Sequence, residues 1–183
     1  MTGVQTCALP IWLQLLHSQR LELFVPFDRT GNIKEDDRLF LESASSFVIA
    51  RGDFLAMVGT LANLSAYLWW YLEDINWVGF YLYDGESLRL GPFQGEPACE
   101  EIRIGRGVCG TSAERRESII VPDVEKFPGH IACSSASRSE LVVPIVDEDG
   151  VLFGLIDVDS PLIDRFTSRE RELLEALASM ILA

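Results

Sequence analysis

Alternating apolar and polar positions predict two antiparallel hairpins along the chain. The segment NWVGFYLYDGESLRLGPF places Asp84-Gly85, a hairpin turn signal, between two alternating runs. The segment LVVPIVDEDGVLFGLIDVDS turns in the same way at Asp149-Gly150. Shorter alternating runs predict two further strands, Cys99–Ile104 and Ser118–Val121. Paired hairpins favour a sheet that is mostly antiparallel.

Helical spacing of apolar residues predicts helices on either side of these strands. Such spacing runs from about Glu42 to Asp74 with an interruption at residues 51–53, so we expect one or two helices there. The preceding PFDRTGNIKEDD is typical of a loop. Thr167 and Glu170 form a capping box for a closing helix, Thr167–Ile181. This order of elements predicts an α+β domain whose terminal helices cover one face of the sheet.

The most apolar run, Phe54 to Leu72, is uncharged and barely long enough to span a bilayer. Small and polar residues interrupt it, and four leucines recur at helical spacing: Leu61, Leu64, Leu68 and Leu72. We therefore expect a buried helix and no membrane partner. The N-terminus lacks the basic region of a secretory signal, so we predict a cytoplasmic protein with reduced thiols.

The charge and the length of the chain limit its binding partners and the number of its domains. The chain has 183 residues and a formal net charge of −13, which disfavours binding to nucleic acid. Residues 1–11, MTGVQTCALPI, resemble the translation of a sequencing adapter, so we exclude them from the prediction of the fold. We interpret residues 12–43 as an N-terminal extension of uncertain origin and residues 44–183 as one folded domain.

A short helix and a long loop carry two of the cysteines. The segment VCGTSAERRE predicts a helix with Cys109 in its first turn, where the helix dipole favours a thiolate. Asp123–Arg138 predicts a loop of a length that is often functional. It carries Cys133 close in sequence to His130 and Arg138, which would lower the pKa of the thiol.

Three cysteines remain once Cys7 is set aside with the first eleven residues: Cys99, Cys109 and Cys133. Their odd number argues against a purely structural set of disulfides. As small buried hydrophobes they could simply fill a core. Together with His130 they could form a Cys3His zinc site, although no C-x2-C pair is present. Redox chemistry on a small substrate is our favoured interpretation.

The candidate acids are Glu140, Asp157 and Asp159, and the last two share one face of a strand. Aspartates are also common at exposed strand ends. In a shared pocket, however, mutual repulsion would raise one pKa and leave a proton to donate. Trp77 and Tyr81 likewise share a face of the first strand, where they could belong to the core or to a pocket wall.

These motifs together resemble the free methionine-(R)-sulfoxide reductases, enzymes built on a GAF domain. The matching segments span about Gly52 to Ala183 and read NWVGFYL, LGPFQGEPAC, IRIGRGVCGTSA, VPDVEKFPGHIACSSASRSELVVPI, GLIDVDS and RFTSRERELLE. The spacing C-x9-C-x23-C, combined with GRGVCG and GHIAC, is highly specific. The resemblance implies that residues 44–183 form a GAF-like catalytic domain.

The resemblance also implies a role for each candidate residue. Cys133 matches the thiol that attacks the sulfoxide sulfur, and Cys99 matches a resolving cysteine. Cys109 matches an alternative resolver or, in a rival assignment, the attacking thiol. The remaining residues match a substrate pocket, with an aromatic wall and an acidic cluster: Trp77, Tyr81, Glu140, Asp157 and Asp159.

The implied reaction reduces free L-methionine (R)-S-oxide to methionine through a sulfenic acid and an intramolecular disulfide. Thioredoxin, linked to NADPH, is the implied external reductant, and no bound cofactor or metal is needed. GAF domains often form homodimers through their terminal helices, so the resemblance allows a homodimer without requiring one. The main alternative is a GAF sensor module that binds a small ligand without chemistry.

Overall fold

A computed structural model describes residues 27–48, 54–129 and 136–182 of the chain. The helices are α1 (Ile33–Ser45), α2 (Phe54–Tyr71), α3 (Gly107–Arg115), a 3₁₀ turn (Val124–Lys126) and α4 (Ser168–Ile181). The strands are β1 (Trp77–Tyr83), β2 (Ser87–Gly95), β3 (Glu101–Arg103), β4 (Ile119–Val121), β5 (Ser139–Val146) and β6 (Leu152–Ser160). They form one sheet in the order β3-β2-β1-β6-β5-β4.

The two predicted hairpins are confirmed, and every strand pair in the described part of the sheet is antiparallel. Asp84 closes the first turn, because its carboxylate accepts from the backbone amides of Glu86 and Ser87 at 2.9 Å each. Gly85 supplies the positive φ of 102° that this turn needs. Strands β1 and β6 pair at the centre, so the hairpins lie side by side.

Helices α2 and α4 cover one face of the sheet, as the order of elements predicts, and α1 packs against both of them. The four leucines of the apolar run are all buried there, so the interpretation of α2 as a buried helix is confirmed. The sheet contributes the alternate residues Val78, Phe80, Ile156 and Val158 to the same core. Within the described residues no helix combines the length and apolarity needed to cross a membrane.

The loop prediction for PFDRTGNIKEDD is wrong from Ile33 onward, where α1 begins. The side chain of Asn32 caps the helix by accepting from the amide of Lys34 at 3.2 Å. The helix buries only a narrow stripe, and its first buried residue is Asp36. The Asp36 carboxylate accepts two hydrogen bonds from Thr30, at 2.8 and 2.7 Å, so a charged residue can occupy a core position. Because the buried stripe is narrow and begins with an aspartate, the spacing of apolar residues did not predict this helix.

The predicted capping box at the start of α4 is confirmed. Thr167 Oγ1 accepts from the amide of Arg169 at 3.2 Å, and Glu170 Oε2 accepts from the amide of Thr167 at 3.0 Å. The expected interruption at residues 51–53 and the adapter-like residues 1–11 lie outside the described residues. Of the expected extension at residues 12–43, the described part runs from Phe27, and its Phe40 is fully buried in the helix-covered core.

Candidate active site

The face of the sheet opposite the three helices carries the acidic candidates. The register places Glu140 directly across from Asp159, and Asp159 directly across from Trp77. Asp157 lies two residues along β6 and faces Gly79. Directly opposed residues of antiparallel strands project from the same face. The predicted convergence of Glu140, Asp157 and Asp159 is therefore present in the structure.

A stack of aromatic rings stands beside the acids. Trp77 and Tyr81 are both buried, with ring centroids 6.0 Å apart. Trp77 also stacks on Phe93 of β2 at 5.3 Å, a residue that the sequence did not single out. Gly79 makes this stack fit, because a Cβ there would lie 2.4 Å from Phe93 Cβ and 2.7 Å from the indole of Trp77. The glycine in the middle of the strand is the sequence signal for this close packing.

Helix α3 lies over the acids and points Cys109 at them. Cys109 Sγ lies 3.2 Å from Asp157 Oδ2 and 3.5 Å from Glu140 Oε1. All three side chains are buried. The ligand-type atoms of this trio lie within 4.8 Å of one another, so within the described part of the chain they are the set that could hold a metal ion.

Burial decides the protonation of these groups. It raises the pKa of Asp157 to about 7 and raises the pKa of Glu140 and of Asp159 well above their ordinary values. The neighbouring carboxyl groups raise the pKa of Glu140 and Asp159 further. Since carboxyl groups this close and this poorly solvated cannot all ionise together, the cluster keeps at least one proton.

The expected thiolate at Cys109 is wrong. The cysteine does lie in the first turn of a helix, as predicted, but the thiol is buried and faces two carboxyl groups. Burial first, and then Asp157 and Glu140, raise the pKa of Cys109 well above its ordinary value. Desolvation and negative neighbours outweigh the dipole of a helix only nine residues long.

Of the other two cysteines, only Cys99 lies within the described residues. Cys99 lies in the loop two residues before β3, not on the strand that its alternating pattern predicts. It is disulfide-bonded, whereas Cys109 is free, so the partner of Cys99 lies outside the described residues. Cys133 and His130 also lie outside them. A disulfide-bonded Cys99 has no thiolate to offer to the Cys3His zinc site that the sequence left open.

Two polar residues that the sequence did not single out flank the third acid. The hydroxyl of Ser137, just before β5, hydrogen-bonds the carboxyl group of Asp159. Asn76 Nδ2 donates to the same Ser137 hydroxyl at 3.1 Å, and the Asn76 amide donates to the Asp159 carbonyl at 3.0 Å. Both residues lie within the family-like segments, but no local pattern shows that they meet, since the contact spans 61 residues of sequence.

Comparison with known proteins supports the same family as the motifs. The GAF domain model matches residues 1–182. A free methionine-R-sulfoxide reductase of Saccharomyces cerevisiae is 47% identical over 131 residues, covering 68% of this chain and 73% of the relative.

Two solved structures extend the likeness to the fold. The chain is similar to the fRMsr of Staphylococcus aureus in its reduced form, with a TM-score of 0.73, 45% identity, and coverage of 80% of this chain and 92% of that one. It is also similar to the free methionine-R-sulfoxide reductase of Neisseria meningitidis in complex with its substrate, with a TM-score of 0.78, 37% identity, and coverage of 87% and 93%. The chain therefore belongs to the GAF domain family and, within it, to the free methionine-R-sulfoxide reductases.

Proposed function

We propose that this protein reduces free L-methionine (R)-S-oxide to methionine with cysteine thiols. The observation that carries the proposal is the convergence of three carboxyl groups, two of them buried, and an aromatic stack on one face of the sheet, in a chain of this family. A free amino acid presents an ammonium group and a short apolar tail, and this site offers a complement to each.

The acids are the proposed ammonium site. Glu140 and Asp157 are buried and Asp159 is half-buried beside them, and one oxygen, Asp157 Oδ1, has no hydrogen-bond partner among the described residues. An ammonium ion offers donors to such oxygens, and its positive charge offsets their mutual repulsion. A polypeptide substrate lacks this ammonium in the middle of its chain, which favours the free amino acid.

The aromatic stack is the proposed site for the apolar end of the substrate. Trp77, Tyr81 and Phe93 form a wall beside the acids, and the Trp77 indole donates to the carbonyl of Glu96 at 3.0 Å. Methyl groups bonded to sulfur pack favourably against aromatic rings. Because the Tyr81 hydroxyl donates to the carbonyl of Cys99 at 3.0 Å, the wall is tied to the loop that carries a redox cysteine.

The proposed attacking group is the thiolate of Cys133, which bonds to the sulfoxide sulfur. A proton from the carboxyl cluster goes to the sulfoxide oxygen. Oxygen is then transferred, so methionine is released with its sulfur reduced by two electrons and Cys133 becomes a sulfenic acid. The Cys99 thiol displaces water from that sulfenic acid and forms a disulfide. The disulfide bond at Cys99, together with the free thiol at Cys109, supports Cys99 as the resolving cysteine.

Thioredoxin is the proposed external reductant, since exchange with a dithiol restores both thiols without a bound cofactor. A cycle that returns to free thiols fits a reducing compartment, so we retain the cytoplasm as the proposed location. A homodimer through the terminal helices also stays a proposal, for which size measurement in solution is the test.

The test of the activity is NADPH consumption coupled through thioredoxin and its reductase. We expect turnover with free L-methionine (R)-S-oxide, and none with the S epimer or with a peptide that contains methionine sulfoxide. Cys133→Ser should abolish turnover while leaving ligand binding intact, whereas a sensor module would bind and never turn over. Absence of turnover by the wild-type protein with the R epimer would overturn the proposal.

A further inference from the structure

Cys109 is a buried thiol that the proposed redox cycle does not use. It is not disulfide-bonded, and only 5% of its surface is exposed. Cys99 is disulfide-bonded while Cys109 is free, so Cys109 is not the disulfide partner of Cys99. A role for this thiol must therefore come from what its sulfur touches.

The sulfur touches two carboxyl oxygens and is closer to one of them. Cys109 Sγ lies 3.2 Å from Asp157 Oδ2 and 3.5 Å from Glu140 Oε1. A neutral thiol has one hydrogen, so it can donate to one carboxylate at a time, and distance favours Asp157. Within the described part of the chain the second oxygen of Asp157 has no hydrogen-bond partner, so the thiol orients a carboxylate whose other oxygen can accept from a ligand.

The position of the thiol is built by the glycines around it. The Gly105 amide donates to the Gly110 carbonyl at 2.8 Å, which ties the entry of α3 to its first turn. A Cβ on Gly110 would lie 2.3 Å from the carbonyl oxygen of Arg103, so only glycine lets the helix pack this closely on β3. The GRGVCG motif thereby fixes the height of Cys109 above the acids.

We propose that Cys109 is a positioning residue whose thiol keeps its proton through the cycle and donates a hydrogen bond to Asp157, orienting the Asp157–Glu140 pair toward the substrate ammonium. The inference rests on the proposed function and assigns the third cysteine a role outside electron transfer. No bond to sulfur forms or breaks at Cys109, and no oxidant acts on it.

The charged and titratable surroundings support a thiol that stays protonated. In the described part of the chain, the groups that face Cys109 are Glu140 on β5, Asp157 and Asp159 on β6, and Tyr81 on β1. None of these is a cation. Burial and the acids raise the pKa of Cys109, and the Cys109 hydrogen bond lowers the pKa of Asp157. The donor thus favours the ionised form of Asp157 that an ammonium group needs.

The experiment compares Cys109→Ala, Cys109→Ser and the matched packing control Val108→Ala, which lies in the same turn and is equally buried. We expect Cys109→Ala to raise KM about tenfold, the size of effect expected for one hydrogen bond to a charged group. It should also move the acid limb of the kcat/KM profile to higher pH, because Asp157 loses its donor. Cys109→Ser restores a donor and should return both values toward wild type.

A single turnover without reductant separates positioning from electron transfer. We expect wild type, Cys109→Ala and Cys109→Ser to release about one methionine per protein and to trap the same disulfide, with Cys109 of the wild type open to alkylation after unfolding. Cys109 within the trapped disulfide would overturn the inference. An unchanged KM and pH profile in Cys109→Ala would overturn it equally, as would equal impairment of the Ala and Ser variants or a pH shift in Val108→Ala.

Failure of the proposed function would look different. If the wild-type protein does not turn over the R epimer, the inference is judged by calorimetric binding of methionine sulfoxide over the same pH range. Cys109→Ala must then weaken binding and Cys109→Ser must recover it. Equal affinities for all three proteins would overturn the inference on its own.

Discussion

The two faces of the sheet are made by the same strands and differ in what they bury. The helix-covered face contributes Val78, Phe80, Ile156 and Val158 to a core shared with α2 and α4, against which α1 packs. The opposite, acid-bearing face also buries apolar side chains, but it adds Glu140, Asp157 and the Cys109 thiol. One residue along β6 therefore separates a hydrocarbon core from a cluster of carboxyl groups.

This difference separates the elements that stabilise the fold from those that carry the chemistry. Burying apolar side chains on the helix-covered face contributes free energy of folding without any ligand. Burying carboxyl groups on the acid-bearing face costs free energy until a cation or a proton compensates them. Mutations on the two faces should therefore act on different measurements, stability on one and catalysis on the other.

The largest expected effect is on the acid-bearing face. Asp157→Asn and Glu140→Gln should each lower kcat/KM by about 100-fold, because losing one partner of a buried charge pair costs about 2–5 kcal/mol. Steady-state kinetics with free methionine (R)-sulfoxide measures the loss. Each variant should retain a cooperative unfolding transition. Wild-type kcat/KM in either variant would remove the ammonium site from the proposal.

The converse change is Leu174→Ala on the helix-covered face. Leu174 is fully buried on α4, so the cavity should lower the free energy of unfolding by about 3 kcal/mol. Guanidinium unfolding measures this, and KM should stay within about twofold of wild type because the side chain does not reach the acids. A KM that changes by more than about twofold would show that the two faces of the sheet are not independent.

Stability should also depend on pH through the acids. Burial raises the pKa of Asp157 from 3.8 to about 7, so the folded protein holds a proton that the unfolded chain releases. Its contribution to stability is complete below pH 3.8 and is lost as the pH rises through about 7. The slope is at most about 1.4 kcal/mol per pH unit for each proton.

Unfolding of wild type and Asp157→Asn at several pH values between the two limits measures this slope. The variant should show a shallower fall, because its amide does not titrate. Identical slopes would mean that Asp157 does not titrate in this window. Saturating methionine should reduce the slope in wild type only, since an ammonium group stabilises the ionised carboxylate.

The smallest expected effect is at the cap of α4, remote from the acids. Thr167→Ala removes the side chain that accepts from the Arg169 amide and should cost about 1 kcal/mol of stability. Thermal unfolding measures the loss, and turnover should be unchanged. Thr167→Ser keeps the hydroxyl and serves as the control, which should stay close to wild type.

The hairpins, the capping box and the buried leucines of α2 could be predicted because they depend on local pattern. Two features could not. Helix α1 was hidden because its first buried position is an aspartate whose partner, Thr30, lies just outside the helix. Phe93 was hidden because the register of β1 and β2 shifts by one residue between Gly79 and Tyr81, which moves Phe93 opposite Gly79.

The candidate site divides in the same way. The residue types of the site and their spacing could be predicted from the sequence. This includes the shared face of Asp157 and Asp159, because every second side chain of a strand projects from the same face. The state of the third cysteine was not readable: the helix start predicted a thiolate, and the fold places two buried carboxyl groups against it.

Local sequence patterns specify the hairpins, the closing helix, the family motifs and the reactive side chains, because those follow from neighbours close along the chain. The tertiary structure decided which side chains meet and which of them hold protons. That decision depends on burial and on charges brought together from β5, β6 and α3, and no local pattern encodes the dielectric around a group.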